Sequence, residues 1–495
     1  SSGGILSPGL ATGDTTDDFA SGNLSLAVGS TYAVQLDSTT VNTGYDQVDV
    51  TGTVTLGGAL QLTAGFTPAA GSTFIIINND GTADAVTGTF SGLAEGSTVT
   101  AGGVNFVVSY VGGDGNDVVL FTGTPDTNVD LTGGVLTISD INSETADGIN
   151  ISFDGTYYVI TDPNSIFSTT NLSGANVTRP DARTVRVLAS AVTSLNVVTA
   201  GSGAAADTVT INSLPASIGG AVTISAETIN LNTSVASTGN QTYNGAVVLG
   251  TSVELAAGDV FLNGTVAMGA NNLTVDVTGT AGTSTGGISG SGQLIKQGAG
   301  TFALTGTGNN TNTYNGLTHV QGGTLNVGGS FAADGAIQGN VTIDSGATLR
   351  LTQSEVIANG SDFIINGTLN MNGQSEVLGN IQGSGAITNH TNNGTTGLSL
   401  DDLNGTHTFS GNISGGGALN LRGNLADTGT LELSGGTVAL GNLRIGDGTL
   451  TIKNNAAVTT GITTVSTNLT GQITGITQAS VSATLNIESG TLTTV

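Results

Sequence analysis

Strand-length runs of alternating apolar and polar residues, cut off by glycine every few positions, leave this chain few folds. Val48-Asp49-Val50-Thr51 is closed by Gly52, Val54-Thr55-Leu56 by Gly57-Gly58, and Leu60-Gln61-Leu62 follows. Period-two alternation places one face of each run in a core and the other in water. The same texture recurs at Gly133-Gly134-Val135-Leu136-Thr137-Ile138, Val222-Thr223-Ile224, Ile229-Asn230-Leu231, Val341-Thr342-Ile343 and Leu431-Glu432-Leu433. No stretch sustains a 3.6-residue apolar period, so no long helix is expected. Connections this short exclude helical crossovers. The strands either form hairpins or turn the corners of a parallel β-solenoid, in which each coil covers the one before.

Weak internal repeats favour the solenoid. Ile-x-Gly-x-Gly-x-Leu/Ile begins at Ile288, Ile381 and Ile413, and Thr-aromatic-polar-Gly surrounds Tyr243, Tyr314 and Phe409. The second set is spaced like three and four units of about 24 residues, a plausible coil length. A Gly- and Thr-rich composition also produces such matches by chance. On the solenoid reading Val222, Ile224, Leu325, Val327, Leu431 and Leu433 point inward. The chain divides into an N-terminal β-rich module (1–124), a connecting segment that continues the stack (125–206) and solenoid repeats (207–495).

Composition excludes several functions. The 495 residues carry 79 Gly, no Cys, no Trp and a net charge of −27. Lys and Arg are absent from Ser1 to Thr178, so no basic stripe exists for nucleic acid, and anionic membranes are disfavoured. Without Cys there is no disulfide framework and no thiolate metal site. No apolar run is long enough for a membrane helix, so no direct membrane insertion is expected. The opening Ser1-Ser2-Gly3-Gly4 does not read as a signal peptide.

Residues 290–329 carry the most specific pattern: Lys296-x-Gly298-x-Gly300-Thr301-Phe302, then Tyr314-Asn315-Gly316, then Gly322-Gly323-Thr324-Leu325. This resembles the autotransporter-associated β-strand repeat of bacterial surface proteins, with Phe302 where the family usually has Leu. Residues 207–266, with Gln241-Thr242-Tyr243-Asn244-Gly245, are similar to haemagglutinin-like passenger repeats. Residues 1–120 resemble a passenger module, and the texture is also that of giant planctomycete-like surface proteins. The resemblance implies a right-handed parallel β-helix exported to the cell surface or exterior. Leu492-Thr493-Thr494-Val495 keeps the repeat texture where an autotransporter has a membrane barrel, so a longer parent protein or another export route is expected. The expected partners are further repeats or copies of the chain joined end to end, and host or matrix glycans.

Candidate chemistry is sparse. Gly112-Gly113-Asp114-Gly115-Asn116-Asp117 fits one copy of a calcium-binding nonapeptide, with Asp114 and Asp117 as ligands. That site needs ligands from successive coils and only one copy is present, so a plain acidic turn is the better reading. Asp17-Asp18 and Asp401-Asp402 are the only adjacent carboxylates. A glycoside hydrolase needs two carboxylates across a cleft, so solvated turns are the better reading. His319, His390 and His407 have no metal spacing. Lys296, Arg350, Arg422, Arg444 and Lys453 are scattered; Arg179, Arg183 and Arg186 form one small cluster that offsets local acidity. Asn-x-Ser/Thr at Asn171, Asn263, Asn366 and Asn404 permits glycosylation on an exposed surface. The expected function is therefore structural or adhesive and not enzymatic. The alternatives are a carbohydrate-active β-helix enzyme and a calcium-dependent binding module.

Overall fold

The computed structural model describes residues 3–8, 18–41, 43–80, 84–141, 146–172, 176–199, 206–306, 312–329, 335–388, 397–401, 403–421, 429–446, 448–465, 483–487 and 491–494. Among these the protein is all-β. A single three-residue 3-10 turn, Ala189–Ala191, is the only helical element, and no helix is long and apolar enough to cross a membrane. Contacts divide the chain into two compact units, Ser1–Asn230 and Leu231–Val495.

The first unit mixes parallel and antiparallel pairing. Asp18–Ser21, Gln47–Val50 and Thr73–Asn79 run parallel, as do Thr31–Leu36 and Ala59–Ala64. Tyr32, Phe74, Phe90 and Phe106 fill the core between them, all fully buried. From Thr98 onward hairpins appear. Thr98–Ala101 pairs antiparallel with Val104–Gly112, and Thr127–Thr132 with Val135–Asp140. Both turns are two-residue glycine pairs with positive φ at each residue: 57° and 77° at Gly102 and Gly103, 58° and 84° at Gly133 and Gly134. That backbone belongs to the tight hairpin turn whose twist matches the strands. Gly148–Phe153, Tyr157–Thr161, Thr184–Leu188 and Val177–Asp181 continue in antiparallel order. The segment read as continuing a parallel stack from 125 to 206 therefore contains hairpins as well as parallel pairs.

The second unit is parallel in every strand pairing described. One ladder runs Phe302, Leu325, Leu349, Leu369, Ile387, Ile413, Val438 and Val458, each residue opposite the next. A second runs Leu255, Val275, Lys296, Val320, Ile343 and Ile365. A third carries Leu378, Leu400, Leu421, Ile445 and Val465. Across the three ladders each step advances the chain by 18 to 26 residues. The ladder side chains from Phe302 to Val458 are buried, and Val222, Ile224, Leu325, Val327, Leu431 and Leu433 are all at most 1% exposed. Polar residues take the other face: Thr301, Thr324, Thr348 and Thr368 stand opposite one another along the first ladder.

This parity gives a direct test. Leu325→Asp puts an unpaired charge into the column and should cost about 4 kcal/mol or more. Thr324→Ser, one residue away on the outer face, should change stability by less than about 0.5 kcal/mol. Equal shifts in a urea titration of the two variants would contradict the register.

Candidate functional site

Asp114 lies in the turn between Val104–Gly112 and Asp117–Thr122, and Asp117 opens the second of these strands. These strands are antiparallel, with Gly112 opposite Asp117. The nonapeptide site draws ligands from successive parallel turns, a setting this hairpin lacks. Asp117 Oδ1 accepts the N–H of Asn79 at 2.8 Å, and Asp117 is buried. Burial raises its ionisation to about 6 against the lowering by Asn79 N–H, and the Asp114 charge adds to the rise. Among the described residues no three His, Asp or Glu side chains are grouped to hold a metal ion.

The other candidates separate. Asp17, Asp402, His390 and Arg422 lie outside the described residues, as does the side chain of Asp18. Asp401 donates its N–H to Leu378 O at 2.8 Å within the third ladder. His319 Nε2 meets Asp344 Oδ2 at 3.0 Å and His407 Nε2 donates to Asn404 O at 2.6 Å, 88 residues of chain apart from each other. The three arginines face three environments. Arg186 pairs with Asp154 and lies over the Tyr157 ring at 4.6 Å. Backbone N–H from Tyr157, then Arg186, hold Asp154 down at about 2. Arg183 lines an open depression with Asp162, Asp181 and Asn150. Arg179 is fully buried over the Phe121 ring at 4.3 Å and donates to Phe167 O at 2.7 Å, and burial lowers it to about 10.

A row of polar side chains at one corner of the second unit serves its own backbone. Asn340 Oδ1 accepts Asp362 N–H at 3.0 Å, Asp362 Oδ1 accepts Asn380 N–H at 2.9 Å, and Asn380 Oδ1 meets Asn404 N–H at 3.4 Å. Each rung thus satisfies a corner amide of the next. Lys296 plays the complementary part. Its stem occupies the column between Val275 and Val320, and its ammonium donates to the corner carbonyls of Gln297, Gly298 (3.1 Å) and Gly322 (3.3 Å). Burial lowers it to about 8.

Comparison with protein-family models, curated proteins and solved structures returned no match.

In the second unit the burial of two ionisable groups, Lys296 and Glu376, is not drawn from the sequence, although parity could have found it. Leu294-Ile295-Lys296 alternates in, out, in, and Glu376-Val377-Leu378 puts Glu376 opposite buried Leu398. Glu376 Oε2 accepts Val356 N–H at 3.1 Å, and burial, the largest effect, raises it to about 8 against that hydrogen bond, with Glu355 adding. These groups hold corners and core. They do not converge on a cleft.

Proposed function

We propose that the second unit is a right-handed parallel β-helix and that the chain acts as a structural or adhesive element of a bacterial cell surface. One observation carries the reading: the three ladders of the second unit advance together while its polar side chains bind the neighbouring rung. A catalytic β-helix needs the opposite, carboxylates and cations gathered across a cleft. Here Glu432 meets Lys453 at 2.5 Å and Thr408 at 2.7 Å along one face, as a cross-strand pair between neighbouring rungs. The resemblance to autotransporter-associated repeats supports the exterior location, and the outer Thr row suits contact with matrix glycans or adjoining repeats.

The purified full chain should release no reducing sugar or unsaturated product from neutral or acidic polysaccharides. Turnover that Asp401→Asn abolishes would establish an enzyme instead.

A further inference from the structure

A set of buried carboxyl groups in the unit Ser1–Asn230 has no part in the reading above. Asp126 precedes the strand Thr127–Thr132, Asp147 precedes Gly148–Phe153, Asp162 follows Tyr157–Thr161, and Asp207 precedes Thr208–Ile211. Ser165 lies just before Phe167–Thr170. Asp126, Asp147, Asp162, Ser165 and Asp207 are 6%, 2%, 0%, 2% and 5% exposed.

Backbone amides hold two of them as acceptors. Asp162 accepts N–H from Gly148 at 3.1 Å, Asn164 at 2.8 Å and Ser165 at 3.2 Å. Asp207 Oδ1 accepts Asp147 N–H at 3.0 Å, and Asp207 N–H goes on to Glu227 Oε2 at 3.0 Å. Asp147 differs. Its Oδ1 lies 2.5 Å from Ser165 Oγ, and its Oδ2 is buried with no hydrogen-bond partner among the described residues. Ser165 Oγ is also 3.3 Å from Asp126 Oδ2. A hydroxyl has one proton to give, and here it lies between two carboxyl groups.

The charges facing Asp147 are all negative: Asp126 and Asp140 from the hairpin, Asp162 from the adjoining strand end, and Asp207 with Glu227 beyond it. The basic residue near Asp162, Arg183, forms no ion pair with the cluster among the described residues. Those residues do not group as a metal site either. An ionised Asp147 here would be a buried charge with no counter-charge, which is strongly disfavoured.

We propose that Asp147 is a proton-operated latch: as a carboxylic acid it donates to Ser165 Oγ, Ser165 donates on to Asp126, and this relay ties together the starts of three strands. Each proton then has one donor and one acceptor. Loss of the Asp147 proton leaves two anions competing for the Ser165 hydroxyl, and the strand starts loosen. Burial raises Asp147 to about 7 against the lowering by Ser165, and charges on Asp162, Asp126 and Asp140 add to the rise. The latch is therefore closed in mild acid and opens as pH rises through about 7.

Amide hydrogen exchange on the full chain at pH 6 and pH 8, corrected for intrinsic rates, tests it. Protection at Thr127, Gly148 and Phe167 should fall about tenfold in the wild type over one pH unit above the midpoint. Asp147→Asn supplies a permanent donor to Ser165 and should keep its pH 6 protection at pH 8. A wild-type pH response in Asp147→Asn overturns the latch, as does restoration of wild-type protection at pH 8 by millimolar calcium, which would assign the cluster to a cation. Should the variant fail to fold, carboxyl-carbon NMR of the wild type decides: one aspartate titrating near pH 7 supports the latch, and all titrating near 4 overturns it.

Discussion

Lowering the pH from 8 to 5 is expected to raise the melting temperature, by about 5 °C. Glu376, Asp147 and Asp117 ionise in the folded chain at about 8, 7 and 6, and Asp207 is raised as well, burial being the main cause in each. Each stays protonated in the fold over a range where the unfolded chain has already ionised. The folded state then binds more protons, and stability falls as pH rises. The contribution is fully present below about 4 and is lost through the folded values, between about 6 and 8. At about 1.4 kcal/mol for each pH unit per group, the three together reach several kcal/mol. Groups of opposite sign act elsewhere: Asp154 is held at about 2 and Glu432 is lowered by Lys453, so both lose their effect only in stronger acid. Lys296, lowered to about 8, adds stability as pH rises beyond that value. A net charge of −27 acts with the buried carboxyl groups and against Lys296, because protonation at lower pH relieves self-repulsion. Glu376→Gln keeps the core group neutral and should remove the largest single share of the slope. A melting temperature that drops steadily from pH 8 to 5, or an unchanged slope in the variant, would refute the assignment.

How much of this was legible in the sequence differs by level. Side-chain parity was: Val222, Ile224, Leu325, Val327, Leu431 and Leu433 are all buried in parallel strands. Rungs of the three ladders in the second unit lie 18 to 26 residues apart, around the figure of about 24 that the repeats suggest, but the repeat markers do not share a position. Ile288 pairs with Val266, Ile381 with Phe363 and Ile413 with Ile387, on ladders that do not coincide. Steps between rungs vary, so no motif can recur at one position. Hairpins were hidden because glycine pairs serve both purposes. Gly133-Gly134 has positive φ at both residues and reverses the chain, whereas Gly57-Gly58 turns it without positive φ and leaves Leu24–Leu26 parallel to Val54–Leu56. The setting of the candidate site was hidden for a related reason. Asp114 and Asp117 match a motif whose chemistry depends on parallel neighbours, and the local sequence does not encode which strand lies alongside. Asp147 and Asp207 are 60 residues apart and become one cluster only through strand pairing.

Gly411→Ala is expected to cost about 3 kcal/mol or more, although its backbone conformation suits any residue. The obstacle is the rung beneath. A Cβ on Gly411 would lie 1.9 Å from the carbonyl oxygen of Gly385, one on Gly385 would lie 2.0 Å from that of Gly367, and one on Gly436 would lie 1.9 Å from that of Gly411. These four glycines form a column at one corner of the second unit. The struck carbonyls cannot retreat freely, since Gly385 O accepts Asn412 N–H at 3.0 Å and Gly367 O accepts Ala386 N–H at 2.8 Å. Relief of the clash must lengthen ladder hydrogen bonds on both sides, so the damage should spread along the stack. Gly22→Ala is the control, because nothing lies within 4 Å of the added Cβ and its φ is not in the left-handed region. It should be neutral, or stabilising by about 0.5 kcal/mol through the unfolded chain. Hydrogen exchange in Gly411→Ala should quicken at Ala386 and Asn412 while the unit Ser1–Asn230 keeps its protection. Equal stability of the two variants would mean that the corner glycines are turn formers only. The expected inequality would make them a packing requirement, set by how closely one backbone passes over the next.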